Sequence, residues 1–168
     1  LLSGPPNQKS RSDVIRLSDG QSKQKLVTFA GTNRALVLGN RTILHQDKNL
    51  RVLDRERYTE MEGKRQALLG TKKKTAEDEA EIKRLAGEAT KAVLWTKRFP
   101  IPIDLIVAGN SLILGLDQAV AALDSNTGRE LWRAPISGRA CGLAVANGRL
   151  FVSTDLGHIY CFQPGGEA

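Results

Sequence analysis

The chain is poor in aromatics and in cysteine. Phe, Trp and Tyr make up 5% of its 168 residues, and only two cysteines occur, Cys141 and Cys161. With no Cys-x-x-Cys pair, neither a zinc ribbon nor a dithiol redox site is supported. Aromatics this sparse, and not interleaved with basic residues, argue against a stacking platform for single-stranded nucleic acid. No apolar run approaches the 18 or more residues of a membrane helix, so no membrane span is expected. Residues 1–6 have neither a basic leader nor a long apolar core, so no export signal is read there. Phosphate-loop and serine-nucleophile motifs are missing. The two histidines, His45 and His158, fall at inequivalent places and read as satisfied or exposed side chains rather than a metal pair.

Charge is present in excess but unevenly. The net charge is +7, of which residues 1–53 carry +6, residues 54–92 carry +1 and residues 93–168 are balanced. The basic residues of the first third are singly spaced, which reads as a solvated surface rather than a nucleic-acid footprint.

What the chain does have is a repeat. The string Ala122-Leu123-Asp124-Ser125-Asn126-Thr127-Gly128-Arg129-Glu130-Leu131-Trp132 joins two short apolar runs through a polar turn. It predicts two antiparallel strands with Gly128 in the turn and Trp132 on the buried side. Residues 108–117 recur at 146–155 with a shift of 38, and residues 38–47 and 50–54 match 108–117 and 120–124 with a shift of 70. Leu94-Trp95 then matches Leu131-Trp132 at a shift of only 37, so the first copy contains 33 extra residues. Without them the period is under 40 residues, four short strands per copy. The expected inventory is a partial unit at 1–30, an interrupted unit at 33–99, a plain unit at 103–136 and a three-stranded unit at 140–164. Cys141 and Cys161 then fall on the first and third strands of one unit, about 10 Å apart, too far for a disulfide and read as small buried hydrophobes.

The extra sequence, within 55–92, has helical periodicity. Tyr58, Met61, Leu68 and Leu69 form one stripe, and Ile82, Leu85, Ala89 and Ala92 a second. Thr75, followed by Glu77 and Asp78, predicts a helix N-terminus, and Glu79 with Lys83 an i,i+4 ion pair. Two helices of about 15 residues make an antiparallel hairpin of about 22 Å, with Lys72, Lys73 and Lys74 at its tip. The thin stripes predict that the hairpin leans on the edge of its own sheet or on a partner.

The string at 122–132, with its split copy at Leu53-Asp54 and Leu94-Trp95, resembles the quinoprotein-like, PQQ-type β-propeller repeat. Outside the insertion the resemblance covers nearly the whole chain. It implies an all-β fold, a partial β-propeller of four-stranded antiparallel blades with an inserted antiparallel helical hairpin. Because propellers typically close with four to eight blades, it also implies a fragment of a larger propeller protein. By that resemblance Asp124, Thr127 and Gly128 shape the turn and Trp132 packs between blades, with Asp54 and Trp95 as counterparts. Lys72, Lys73 and Lys74 are candidate partner-binding residues.

Within the family some members are dehydrogenases that hold pyrroloquinoline quinone and calcium, often beside an adjacent cysteine pair. Here Cys141 is followed by Gly142, and no acidic cluster suggests calcium ligation. The expectation is therefore a non-catalytic scaffold without a cofactor, its partners being further blades or other protein chains. The alternative is part of a PQQ- and Ca²⁺-dependent dehydrogenase, or of a propeller fused to an enzyme domain, with the active site elsewhere. The resemblance implies a periplasmic or cell-envelope location, against which two unpaired cysteines weigh mildly.

Overall fold

The computed structural model describes the backbone of residues 2–3, 14–18 and 25–163, and side chains from residue 27 onward. Much of the expected partial unit at 1–30 and the tail Gly165–Ala168 lie outside these residues. The chain divides into two compact units, Leu1–Thr96 and Lys97–Ala168.

The first unit holds two sheets. Strands β1 (Leu2–Ser3), β2 (Val14–Ser18) and β3 (Lys25–Ala30) form one, in that order. Strands β4 (Thr32–Leu38), β5 (Arg41–Gln46), β6 (Asn49–Asp54) and β7 (Val93–Arg98) form the other, again in chain order. Helices α1 (Arg55–Leu69) and α2 (Ala76–Lys91) stand between β6 and β7. The second unit has β8 (Asp104–Ala108), β9 (Ser111–Gly115), β10 (Asp117–Asp124), β11 (Glu130–Ala146), β12 (Arg149–Thr154) and β13 (Ile159–Phe162). The fold is all-β and propeller-like, built of antiparallel meanders, with one helical hairpin inserted.

Burial explains the strand chemistry. Thr42, Ile43, Leu44 and His45 of β5 are buried in succession, as are Val120, Ala121, Ala122 and Leu123 of β10. Consecutive buried residues mean that both faces of a central strand are covered, which selects near-continuous apolar runs. In β7 half-buried and exposed positions alternate, so only one face is covered. The first core joins Val27, Phe29, Leu44 and Leu53, and the second joins Ile113, Val120, Ile136, Ala140, Leu150 and Val152.

Two expectations need correction here. Residues 130–146, expected to be divided between the units at 103–136 and 140–164, are one 17-residue strand. Its first part pairs with β10 and its second with β12. No loop is needed because Gly138 turns the chain at φ 86° and a bulge follows between Ala140 and Gly142. Gly31, at φ 69°, does the same between β3 and β4. Each pivot lies against an aspartate: a Cβ on Gly31 would sit 2.5 Å from Asp47 Oδ1, and one on Gly138 2.6 Å from Asp155 Oδ1. Secondly, Cys141 and Cys161 are free and exposed rather than buried. The bulge lies at Cys141, and Cys161 sits on β13, an outer strand of its sheet.

His45 lies within β5, fully buried, with Nδ1 3.0 Å from Asn33 Oδ1.

Candidate functional site

The turn at Asp124 is held by one carboxylate oxygen. Asp124 Oδ1 accepts from the backbone N–H of Asn126 (3.0 Å) and Thr127 (2.8 Å) and from the Thr127 hydroxyl (2.9 Å). These donors, the Thr127 hydroxyl foremost, hold the carboxyl below its ordinary range. The Gly128 N–H closes the turn on Asp124 O at 2.8 Å, with Gly128 at φ 71°.

Asp54 uses the same geometry for another purpose. Its Oδ1 accepts from the Arg57 N–H at 3.1 Å and so caps the N-terminus of α1. Around both aspartates the surrounding bonds correspond. Arg55 N donates to Asn40 O at 2.7 Å, and Ser125 N to Asn110 O at 2.8 Å. Asp54 N donates to Ala92 O at 2.9 Å, and Asp124 N to Arg129 O at 2.8 Å. An aspartate that bonds the N–H three residues ahead can start a tight turn or a helix, so the helices enter without disturbing the ladder. Asn40 secures the helical version: its Nδ2 donates to Asp54 Oδ1 (3.2 Å) and its Oδ1 accepts from Glu56 N (3.0 Å).

The hairpin is anchored on its own unit. Thr75 caps α2 in a reciprocal capping box with Asp78. Leu85, Ala89 and Ala92 are buried, while Leu69 is 44% exposed. The Tyr58 ring stacks on Phe29 of β3 with centroids 5.8 Å apart. The Gln66 amide pairs with both backbone groups of Thr28, accepting from its N–H (3.2 Å) and donating to its carbonyl (3.1 Å). It meets the strand as another strand would. Glu62, 6% exposed, receives both nitrogens of the Arg65 fork at 2.6 and 2.7 Å. Glu79 and Lys83 are not among the ion pairs found; the helices pair instead at Glu60–Lys64, Glu81–Arg84, Glu88–Lys91 and Arg57–Glu88. Lys72, Lys73 and Lys74 lie on the exposed connection, where Lys74 Nζ donates to Thr71 O at 3.2 Å.

Trp132 is 37% exposed, with its ring 5.8 Å from that of Phe162. Trp95 is half-buried on β7. A cleft of about 420 Å³ opens in the first unit beneath the hairpin, with Arg51, Tyr58, Glu62 and Arg65 among its lining residues.

Tyr58 provides a readout of this packing. Burial, aided by Glu62, raises its phenol above the ordinary value of 10.0. Tyr160 moves the other way, because the Ser137 N–H donates to its oxygen at 2.8 Å. The chain has only these two tyrosines. An absorbance titration at alkaline pH should give two separated steps, Tyr160 before Tyr58, and Tyr58→Phe should remove the later one. A folded value above the unfolded one means that the Tyr58 contribution is complete below pH 10 and is lost as pH rises through the folded value.

Comparison with known proteins bears on this geometry. Residues 116–168 match the family model PQQ_2, described as outer membrane protein assembly factor BamB. Residues 116–168 thus carry the PQQ-type repeat, and the chain has a β-propeller-like fold. Among solved structures this propeller segment resembles BamB from Moraxella catarrhalis at 16% identity and TM-score 0.60, covering 96% of this chain and 42% of that one. It resembles the computationally designed Ika4 protein at 12% identity and TM-score 0.58, covering 92% of this chain and 84% of that one. Hsv2 from Kluyveromyces lactis follows at 11% identity and TM-score 0.50, covering 93% and 41%. The segment thus spans less than half the length of that BamB. No curated protein sequence gave a significant match.

The family's calcium-bound quinone can be tested against the donors present. Among the described residues no three His, Cys, Asp or Glu side chains come together as an ion site. Cys141 is exposed and followed by Gly142. These residues do not fit the quinone–calcium pair. No described helix is long and apolar enough to cross a membrane.

The repeat spacing marked Asp54 and Asp124, and the resemblance to the propeller repeat marked Thr127 and Gly128. Sequence reasoning missed Asn40 and Asn110, although they obey the same shift of 70. It also missed Gln66, Glu62 and the cleft. Their roles depend on which strand the hairpin leans on, and no local pattern encodes that.

Proposed function

We propose that this segment is a protein-interaction module of a larger propeller, with Asp124, Thr127, Gly128 and Trp132 as its structural joint. Asp54 and Trp95 form the modified joint from which the helical hairpin extends as a docking arm. One observation carries the reading: a four-residue turn is replaced by a capped hairpin whose base is packed against β3 and whose tip, with Lys72, Lys73 and Lys74, is exposed. A rigid base lowers the ordering cost of binding at the tip. The matched family description, an outer membrane protein assembly factor, names a protein that works on other proteins. It supports a cell-envelope location as part of the same reading.

The test is a photo-crosslinking residue in place of Lys73 in the full-length protein in its native cells, with one at Asn126 as the plain-turn control. A defined heterologous crosslink from position 73, not seen from 126 and lost when Lys72, Lys73 and Lys74 are all exchanged for Glu, is the expected result. Equal labelling from both positions, or none from 73, refutes the docking arm.

A further inference from the structure

We infer that the cleft beneath the hairpin binds a singly charged carboxylate carried on an apolar body. The inference goes beyond the docking arm and does not depend on it. The cleft has a cavity volume of about 420 Å³, within the range of small-ligand sites. Arg51 and Arg65 both line it, but they are not equivalent. The Arg65 fork is filled by Glu62. Arg51 donates from Nη1 to Gln46 Oε1 at 3.2 Å, while its Nε is buried without a hydrogen-bond partner.

A buried guanidinium N–H without an acceptor is unusual. The acceptor that suits it is planar and anionic, because the guanidinium edge matches a carboxylate in two-pronged geometry. The balance of charge limits the ligand further. Two arginines and one glutamate leave one net positive charge, and the Glu62 carboxylate repels a second negative one. That favours a carboxylate over a dianionic phosphate. Ala86, Ala89 and Val93 also line the cleft and supply apolar surface, which suits a ligand with an apolar body beside its charge.

The chemistry is that of a small aryl or alkyl carboxylic acid, or of a peptide terminus ending in an apolar residue. The experiment titrates the ¹⁵N-labelled full chain with four probes and follows the arginine Nε–H signals. The probes are benzoate, its neutral isostere benzamide, inorganic phosphate, and an N-acetylated Ala-Ala-Phe peptide with a free carboxylate. Benzoate should shift the Arg51 Nε–H saturably, with a dissociation constant on the order of 1 mM, and benzamide and phosphate should not. Arg51→Met keeps the apolar stem and should weaken benzoate at least about ten-fold. Ala86→Leu, which adds bulk to the cleft lining, should do the same with Arg51 intact. Tighter binding of the peptide than of benzoate assigns the site to a polypeptide terminus, and the reverse order assigns it to a free acid. Equal binding of benzamide or phosphate, no saturable shift, or unchanged affinity in folded Arg51→Met and Ala86→Leu variants overturns the proposal.

Discussion

Gly138→Ala should destabilise the protein by about 3 kcal/mol, through two separate penalties. The first is backbone strain, since Gly138 sits at φ 86°, where a side chain is rarely accommodated. The second is collision: the new Cβ would lie 2.6 Å from Asp155 Oδ1 and 2.9 Å from Leu156 Cγ. Asp155 cannot withdraw freely, because its Oδ1 accepts from the Arg139 N–H at 2.7 Å and its own N–H donates to Arg139 O. The pivot therefore fixes how β11 passes from pairing with β10 to pairing with β12. Chemical denaturation of the variant checks the prediction. A midpoint equal to that of the parent would mean that the pivot tolerates a side chain and that the Gly138–Asp155 contact holds nothing in place.

Leu85→Ala should cost about 3 kcal/mol and should melt the hairpin first. Leu85 is 1% exposed and is the largest fully buried side chain of α2. Propensity alone does not hold two helices of 15 and 16 residues in place, since isolated helices of that length are marginal in water. Their stability comes from the face they bury, which in α2 is Leu85, Ala89 and the following Ala92. Thermal melting followed at the helical ellipticity band should show an early loss of helix in the variant. Leu85→Met, which keeps the volume, should lie within about 1.5 kcal/mol of the parent. Equal losses in both variants would point to a shape requirement at this position rather than to a cavity.

These two substitutions test different levels of the same design. The pivot glycine keeps successive strands in register without a loop, whereas the leucine keeps an inserted element on the surface that supports it. Asp54 and Asp124 each bond the backbone N–H three residues ahead. That shared geometry explains why a helix could replace a turn at this position of the repeat. Asn40 adds bonds that the helical copy needs, to Asp54 and to the Glu56 N–H.

The sequence by itself determined the repeat, the strand meander, the insertion and its two helices. Those features are local. Strand alternation, turn chemistry and helix caps are written in residues a few positions apart, and the shifts of 70, 37 and 38 survive because each copy must satisfy the same ladder. Only the tertiary structure decided what each face meets. Cys141 and Cys161 have the composition of core residues, yet a bulge and an outer strand leave both exposed. Trp132 belongs to the repeat signature, yet it is half-covered, with Phe162 alongside. Gln66 has no local pattern, yet it pairs with the backbone of Thr28, 38 residues earlier. Burial and partnership are sums over neighbours distant in the chain, and a period or a motif reports only the neighbours that are near.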